Sequence, residues 1–127
     1  MNLEKVAFGF FIVLAMTLNF GFFIGDMGNP EFHHSYELYA AIVVNLIATV
    51  LKFGDRTQIG AIHLSTSLVA DIQLIAAAVI WAIFGAMGDT PIATSTMVSI
   101  VSLSGGAFLA NVTSVILLII ETIMLRR

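Results

Sequence analysis

The sequence predicts an all-α integral membrane protein, a single domain over residues 1–127 folded as an up-down four-helix bundle with both termini in the cytoplasm. Three observations predict it. Four long apolar runs alternate with short polar connections. Hydrophobic residues make up 59% of the chain and charged residues only 10%, against roughly 25% charged in a soluble domain. All five basic residues fall on one side of the membrane that the runs define. Lys5 precedes the first run, Lys52 and Arg56 lie between the second and third, and Arg126 and Arg127 follow the fourth. The other two connections carry acids and no Lys or Arg. That is the positive-inside pattern of a multi-pass inner-membrane protein.

The first span is expected over about 6–25. Lys5 before an apolar stretch also fits a signal peptide, but the stretch outlasts a typical signal core and no clear small-x-small cleavage site follows it. A retained span is therefore expected, with a cleaved signal as the alternative. The outer turn from Asp26 closes with Asn29, a natural N-cap, and Pro30, a natural first helical residue. The next helix is expected from Pro30, crossing over about 36–53, with Tyr36 and Tyr39 in the interfacial aromatic belt. Gly54 suits its end. Asp55 and Gln58 have capping-box spacing, so a third helix is expected from near Arg56, with its span over about 63–87. A second outer turn, Gly88-Asp-Thr-Pro91, leads to a fourth span over about 96–121. The connections are short, which makes consecutive helices antiparallel neighbours. A faint echo relates the two hairpins: Phe23–Pro30 resembles Phe84–Pro91, and Asn45–Leu51 resembles Asn111–Leu117. A parallel repeat of the kind found in transporters is one reading of it, chance likeness of apolar segments the other.

Four spans of about 20 residues use most of the chain and leave no soluble domain to build a substrate pocket. There is no Cys, hence no disulfide, thiol nucleophile or thiolate metal site. No basic patch is present to hold nucleic acid. No nucleophile–base or metal constellation is visible, so no enzymatic activity, cofactor or metal is expected.

The polar residues inside the spans carry the functional expectation. Asp71 is the only carboxylate well inside a span, about eight residues or ~12 Å from the cytoplasmic edge at His63. A charge there costs about 2.5–3.5 kcal/mol on insertion scales. The group must face protein or water, be paired, or stay protonated. Ser67 and His63 precede it by one and two helical turns, and Ala78, Ala82 and Gly85 continue the stripe outward. His63, Ser67 and Asp71 thus form a polar ladder from the cytoplasmic surface to mid-membrane. Asn45, with Ala41, Ala48 and Lys52 on its face, and Asn111, with Ser104, Ala107 and Ser114, are expected at similar depth. Their amide oxygens suit a cation beside the carboxylate, and interhelical hydrogen bonding is the bland alternative. Asn19 is expected to be such glue. Gln73, two residues from Asp71, is expected to point elsewhere, toward a neighbouring subunit. Lys52 is expected to snorkel to the cytoplasm, or to reach Asp71 as a counter-ion. Glu121 is expected to pair with Arg126.

Stripes of small residues, Gly21 and Gly25 after Thr17 in span 1 and Ser102, Gly106 and Ala110 in span 4, predict close helix packing. Asp26, Glu31, Glu37 and Asp89 form an acidic outer rim suited to concentrating cations. His33 and His34 lie within it, but their spacing matches no metal motif.

On the stretches Phe23-Ile-Gly-Asp-Met-Gly-Asn-Pro30 and Leu51-Lys-Phe-Gly-Asp-Arg56, the chain resembles an uncharacterised family of small bacterial four-span membrane proteins. That resemblance implies the layout and no functional residues. Gly88-Asp89-Thr90-Pro91 before a span with a central Gly is similar to potassium-channel pore segments, but the Thr-Val-Gly-Tyr-Gly filter is missing, so no carbonyl coordination carries over. The expectation is a homo-oligomer in the lipid bilayer that moves a proton or small cation through Asp71. The rival expectation is a non-conducting accessory subunit of a larger membrane transport complex.

Overall fold

The computed structural model of the chain describes residues 3–24, 35–55, 57–87 and 93–125. They form four α-helices: α1 (Leu3–Phe23), α2 (Ser35–Lys52), α3 (Gln58–Met87) and α4 (Thr94–Leu125). The all-α expectation holds. Leu3–Phe23, Gln58–Phe84 and Thr94–Met124 are long and apolar enough to cross a membrane. α2 is not among those three. Its 18 residues, with Glu37 near one end and Lys52 at the other, span about 27 Å, just under a ~30 Å hydrocarbon core.

Each helix packs on its neighbour in sequence, and α1 closes the ring against α4. Neighbours run antiparallel. Gln73 on α3 meets Gly106 on α4, and nearer the other end Thr66 meets Ser114. The same holds for α1 and α4, where Lys5 meets Glu121 and Phe20 meets Phe108.

Apolar side chains crowd the outer surface, with Ile72, Val50 and Leu109 about two-thirds exposed. The interior is apolar in two patches. A larger one holds Phe22, Leu38, Leu74, Met97 and Ile100. A smaller one holds Phe8, Ile12 and Ala48. Buried polar residues from all four helices accompany them: Asn19, Asn45, Thr49, His63, Ser67, Asp71, Ser104, Asn111 and Ser114. A solvent as apolar as leucine permits this arrangement, because burying apolar side chains gains nothing there while polar groups must turn inward.

Several expectations are corrected. The α3 cap is Thr57, not Asp55. Thr57 Oγ1 accepts the Gly60 amide at 3.0 Å, its carbonyl accepts the Ala61 amide, and the helix opens at Gln58. Asp55 instead closes an Asx turn beneath it, accepting the Thr57 amide at 3.0 Å and hydroxyl at 2.6 Å. Those two bonds, with Lys52 nearby, lower the Asp55 pKa from 3.8 to about 2.

The small-residue stripes are only partly packed. Gly21 admits the Glu37 carboxylate of α2, Gly106 admits Gln73 of α3, and Ala110 packs against the larger core. Ser102 and Thr17 face outward instead, one step round the helix from the packed face. α4 is helical straight through Gly105 and Gly106, where Phe23 and Gln73 lie against the backbone, so that pair serves packing. Gly25, Asp26, Glu31, Asp89, His33, His34, Asn29, Pro30, Arg56, Arg126 and Arg127 lie outside the described residues.

Candidate functional site

At the end of the bundle that holds Lys5, the ends of α1 and α4 meet the α2–α3 turn around a pocket of about 550 Å³ lined by Lys5, Lys52, Asp55, Thr57 and Glu121. Glu121 is the hinge between this pocket and the interior. Its Oε2 accepts Lys5 Nζ at 2.6 Å, and its Oε1 lies 3.8 Å from His63 Nε2. Lys5 is the partner of Glu121 among the described residues, and the expected partner Arg126 lies outside them. His63 is fully buried and meets the Phe8 ring edge-on at 5.0 Å between centroids. Lys52 sits over the other side of this cluster, 4.3 Å from the Phe8 centroid and 3.5 Å from Asp55 Oδ2. It is buried, neither snorkelling into water nor paired with Asp71.

From His63 the buried face of α3 climbs one turn to Ser67 and another to Asp71, as the i, i+4 spacing predicts. Beyond Asp71 the stripe turns apolar through Leu74 and Ala77, while Ala82 is exposed. Asp71 is 4% exposed. Its partner is Thr49 of α2, whose Oγ1 lies 2.6 Å from Asp71 Oδ2 and 2.8 Å from the Asn45 main-chain oxygen. Asn45, one turn from Thr49, donates its Nδ2 to the Ala41 carbonyl at 2.8 Å. That bond stays within α2, so Asn45 is not interhelical glue. Thr66 and Ser114 join α3 to α4 through their hydroxyls. Asn111 follows one turn nearer mid-bundle on the buried face of α4, a level between Ser67 and Asp71 by the Thr66–Ser114 and Gln73–Gly106 pairs.

Asp71 Oδ1, Asn45 Oδ1, Ser67 Oγ, both nitrogens of His63 and both amide atoms of Asn111 and Asn19 are buried with no hydrogen-bond partner among the described residues. A buried polar group left in that state costs about 1–3 kcal/mol. These groups are among those in the interior able to take a hydrogen bond or an ion. The expected glue bond of Asn19 is not made. Gln73 is not turned toward another subunit; its amide end lies against Gly106 inside the α3–α4 seam.

Ser67, His63, Asp71, Asn45 and Asn111 all prove to be interior residues on three different helices. Of the outer rim, only Glu37 is described, and it lies against Gly21. Sequence reading missed Thr49, Phe8 and the Glu121–His63 contact. Thr49 was recoverable: it stands four residues after Asn45 and three before Lys52, on the face already marked. The Glu121–His63 contact joins distant segments and has no local signal. No three His, Cys, Asp or Glu side chains converge on a metal site among the described residues.

Chemically, the arrangement offers one buried carboxyl with a free oxygen, bonded to a threonine hydroxyl, and two turns away on the same face an imidazole beside a second carboxylate that lines the pocket. The model of a family described as a family of unknown function (DUF6394) matches residues 32–122. That match contains the stretch Leu51–Arg56 and every interior polar residue above except Asn19. No curated protein and no solved structure matches the chain.

Proposed function

The chain belongs to that family of unknown function, and we propose that it moves a proton or small cation across the bacterial inner membrane by way of Asp71. In this reading α2 crosses together with the three longer helices, both termini face the cytoplasm, and the molecule works as a homo-oligomer. The distribution of Lys and Arg supports the orientation. The observation that carries the function is the Asp71 carboxyl, nearly sealed from solvent yet left with Oδ1 unbonded among other unbonded oxygens. An ionisable group held in a membrane span marks a functional site by default, and ion or proton pathways are among the roles such groups take.

The proposed route runs from the pocket at Lys5 to Glu121 and His63, which lie 3.8 Å apart, and then along the buried face of α3 to Ser67 and Asp71. Glu121 and His63 are each able to take and release a proton, and Ser67 passes one by hydroxyl rotation. The closed packing around Asp71 favours handing on one ion at a time over an open pore. One observation favours the rival accessory subunit: Ser95, Ser99 and Ser102 of α4 face outward, a small polar strip on which another helix could dock.

Reconstituted liposomes decide between them. Proton or alkali-cation flux is expected from the wild-type protein and is expected to fall at least tenfold in Asp71→Asn, roughly the effect of one lost charge-assisted bond. Equal flux in the variant would refute the role of Asp71. Absence of flux under any gradient, with a tightly co-purifying partner, would establish the accessory reading.

A further inference from the structure

We propose that Asp71 and Asn45 hold a single dehydrated monovalent cation that competes with a proton for the Asp71 carboxyl, the Thr49 hydroxyl serving both states. This rests on the reading of Asp71 as the transport group and adds the class of ion it takes.

Proton counting at Thr49 comes first. Its Oγ1 is within hydrogen-bond distance of two oxygens, Asp71 Oδ2 at 2.6 Å and the Asn45 carbonyl at 2.8 Å. A hydroxyl has one proton and donates to one of them at a time. With Asp71 ionised, Thr49 donates to Oδ2. With Asp71 protonated on Oδ2, the carboxyl donates to Thr49 Oγ1 and Thr49 donates to the Asn45 carbonyl. Oδ2 and Thr49 keep a mutual bond in both states, so gaining or losing the proton breaks no contact between α2 and α3.

The remaining oxygens point to a cation as the alternative occupant. Asn45 Nδ2 is tied to the Ala41 carbonyl, which fixes the amide plane and leaves Oδ1 free. Asp71 Oδ2 is tied to Thr49, which leaves its Oδ1 free. Asn45 is fully buried and Asp71 nearly so. Thr49 lies one turn from Asn45 on the same buried face of α2 and touches both the Asn45 main-chain oxygen and the Asp71 carboxyl, which places the two free oxygens on the facing sides of α2 and α3. Ser67 Oγ, one turn from Asp71, and Asn111 Oδ1 of α4 are buried and unbonded as well. Carboxylate, amide and hydroxyl oxygens are hard donors that suit alkali and alkaline-earth ions.

Charge selects between those. Other titratable side chains of the described helices lie away from Asp71: Glu4 and Lys5 at the start of α1, Tyr36, Glu37 and Tyr39 at the start of α2, Lys52 at its end, His63 two turns down α3, and Glu121 beside His63 on α4. Lys52 is engaged with Asp55, and Lys5 with Glu121. A monovalent ion on one carboxylate leaves the seam neutral. A divalent ion leaves a net positive charge in apolar surroundings, at the cost that excludes isolated charges from spans. Because the ion needs the ionised carboxyl, its binding expels the proton from Asp71 into water, and the carboxylate oxygens coordinate the ion in its place.

The test is proton release from full-length protein in detergent under weak buffering, read with a pH indicator as NaCl, KCl or choline chloride is added. Saturable release approaching one proton per chain with Na+ or K+, none with choline, and none in Asp71→Asn is expected. Thr49→Ser is expected to keep the release. Thr49→Val, which leaves Oδ2 without its bond, is expected to raise the half-saturating cation concentration by roughly tenfold. Wild-type protein that conducts protons in liposomes but releases none on adding either metal ion would overturn the cation site and leave Asp71 a proton carrier. Equal release from Asp71→Asn would overturn it by placing the ion elsewhere. If flux and release are both missing, the transport reading fails with it.

Discussion

Asp55 and Asp71 are both carboxyls bonded to a threonine hydroxyl, and their settings give them opposite uses. Asp55 lies in the polar α2–α3 turn, where the Thr57 hydroxyl and amide stabilise its ionised form and lower its pKa to about 2. A lowered carboxyl contributes its stabilisation fully above the ordinary value of 3.8, and that contribution is lost as pH falls through about 2. The turn is therefore expected to hold through the mildly acidic range, with the Thr57 amide shift constant in an NMR titration until pH drops below 3.8. Thr57→Ala removes both the α3 cap and the largest cause of the shift. It is expected to cost about 1 kcal/mol in thermal unfolding and to move the Asp55 titration back toward 3.8. An unchanged titration would contradict the Asx-turn account. Asp71 has one such bond and a free oxygen, which is a poor way to fix a charge and a good way to exchange one.

At the scale of the helices, close approach is set by which side chain meets each glycine. A Cβ on Gly105 would stand 2.7 Å from Phe23 Cε1, part of a rigid ring. A Cβ on Gly106 would stand 2.5 Å from Gln73 Nε2, the end of a flexible chain. Gly105→Ala is expected to destabilise the bundle by about 1–3 kcal/mol, the range for overpacking, and Gly106→Ala by less than about 1 kcal/mol as Gln73 swings aside. Thermal unfolding in detergent measures both, and a larger loss at Gly106 would contradict the packing. The helices themselves were legible in the sequence because each is a long apolar run bounded by polar turns. The ends were less so. Asp55 and Gln58 have capping-box spacing, but Thr57 stands between them and takes the cap because its hydroxyl reaches the Gly60 amide directly. The stripes on α1 and α4 were misread by one step for a similar reason: Ser102 and Thr17 are as small as Gly106 and Gly21, and residue size alone does not tell which side of a helix faces its neighbour.

For the whole molecule, the inside-out distribution of polarity is the feature that sequence revealed best. Asp71 was singled out as a carboxylate well inside a span, helical periodicity put Ser67 and His63 on its face, and these three with Asn45 and Asn111 are all buried. Periodicity works here because a polar side chain in a span has only the bundle interior to turn to. It fails across helices, since the depth of one against another is set by packing. Thr49 against Asp71, Glu121 beside His63 and Lys52 over Phe8 all depend on that depth. These contacts join α2 to α3 at Asp71 and α4 to α3 at His63, two turns apart on one buried face of α3. The proposed transport requires the Asp71 carboxyl to exchange protons with water. Infrared difference spectroscopy of the protein in lipid, stepping pH, reads that carboxyl directly by its C=O stretch. A protonated-carboxyl band that fades as pH rises, and that is missing from Asp71→Asn, is the predicted result. Wild-type and Asp71→Asn spectra that stay identical at every pH at which the bundle remains folded would contradict it.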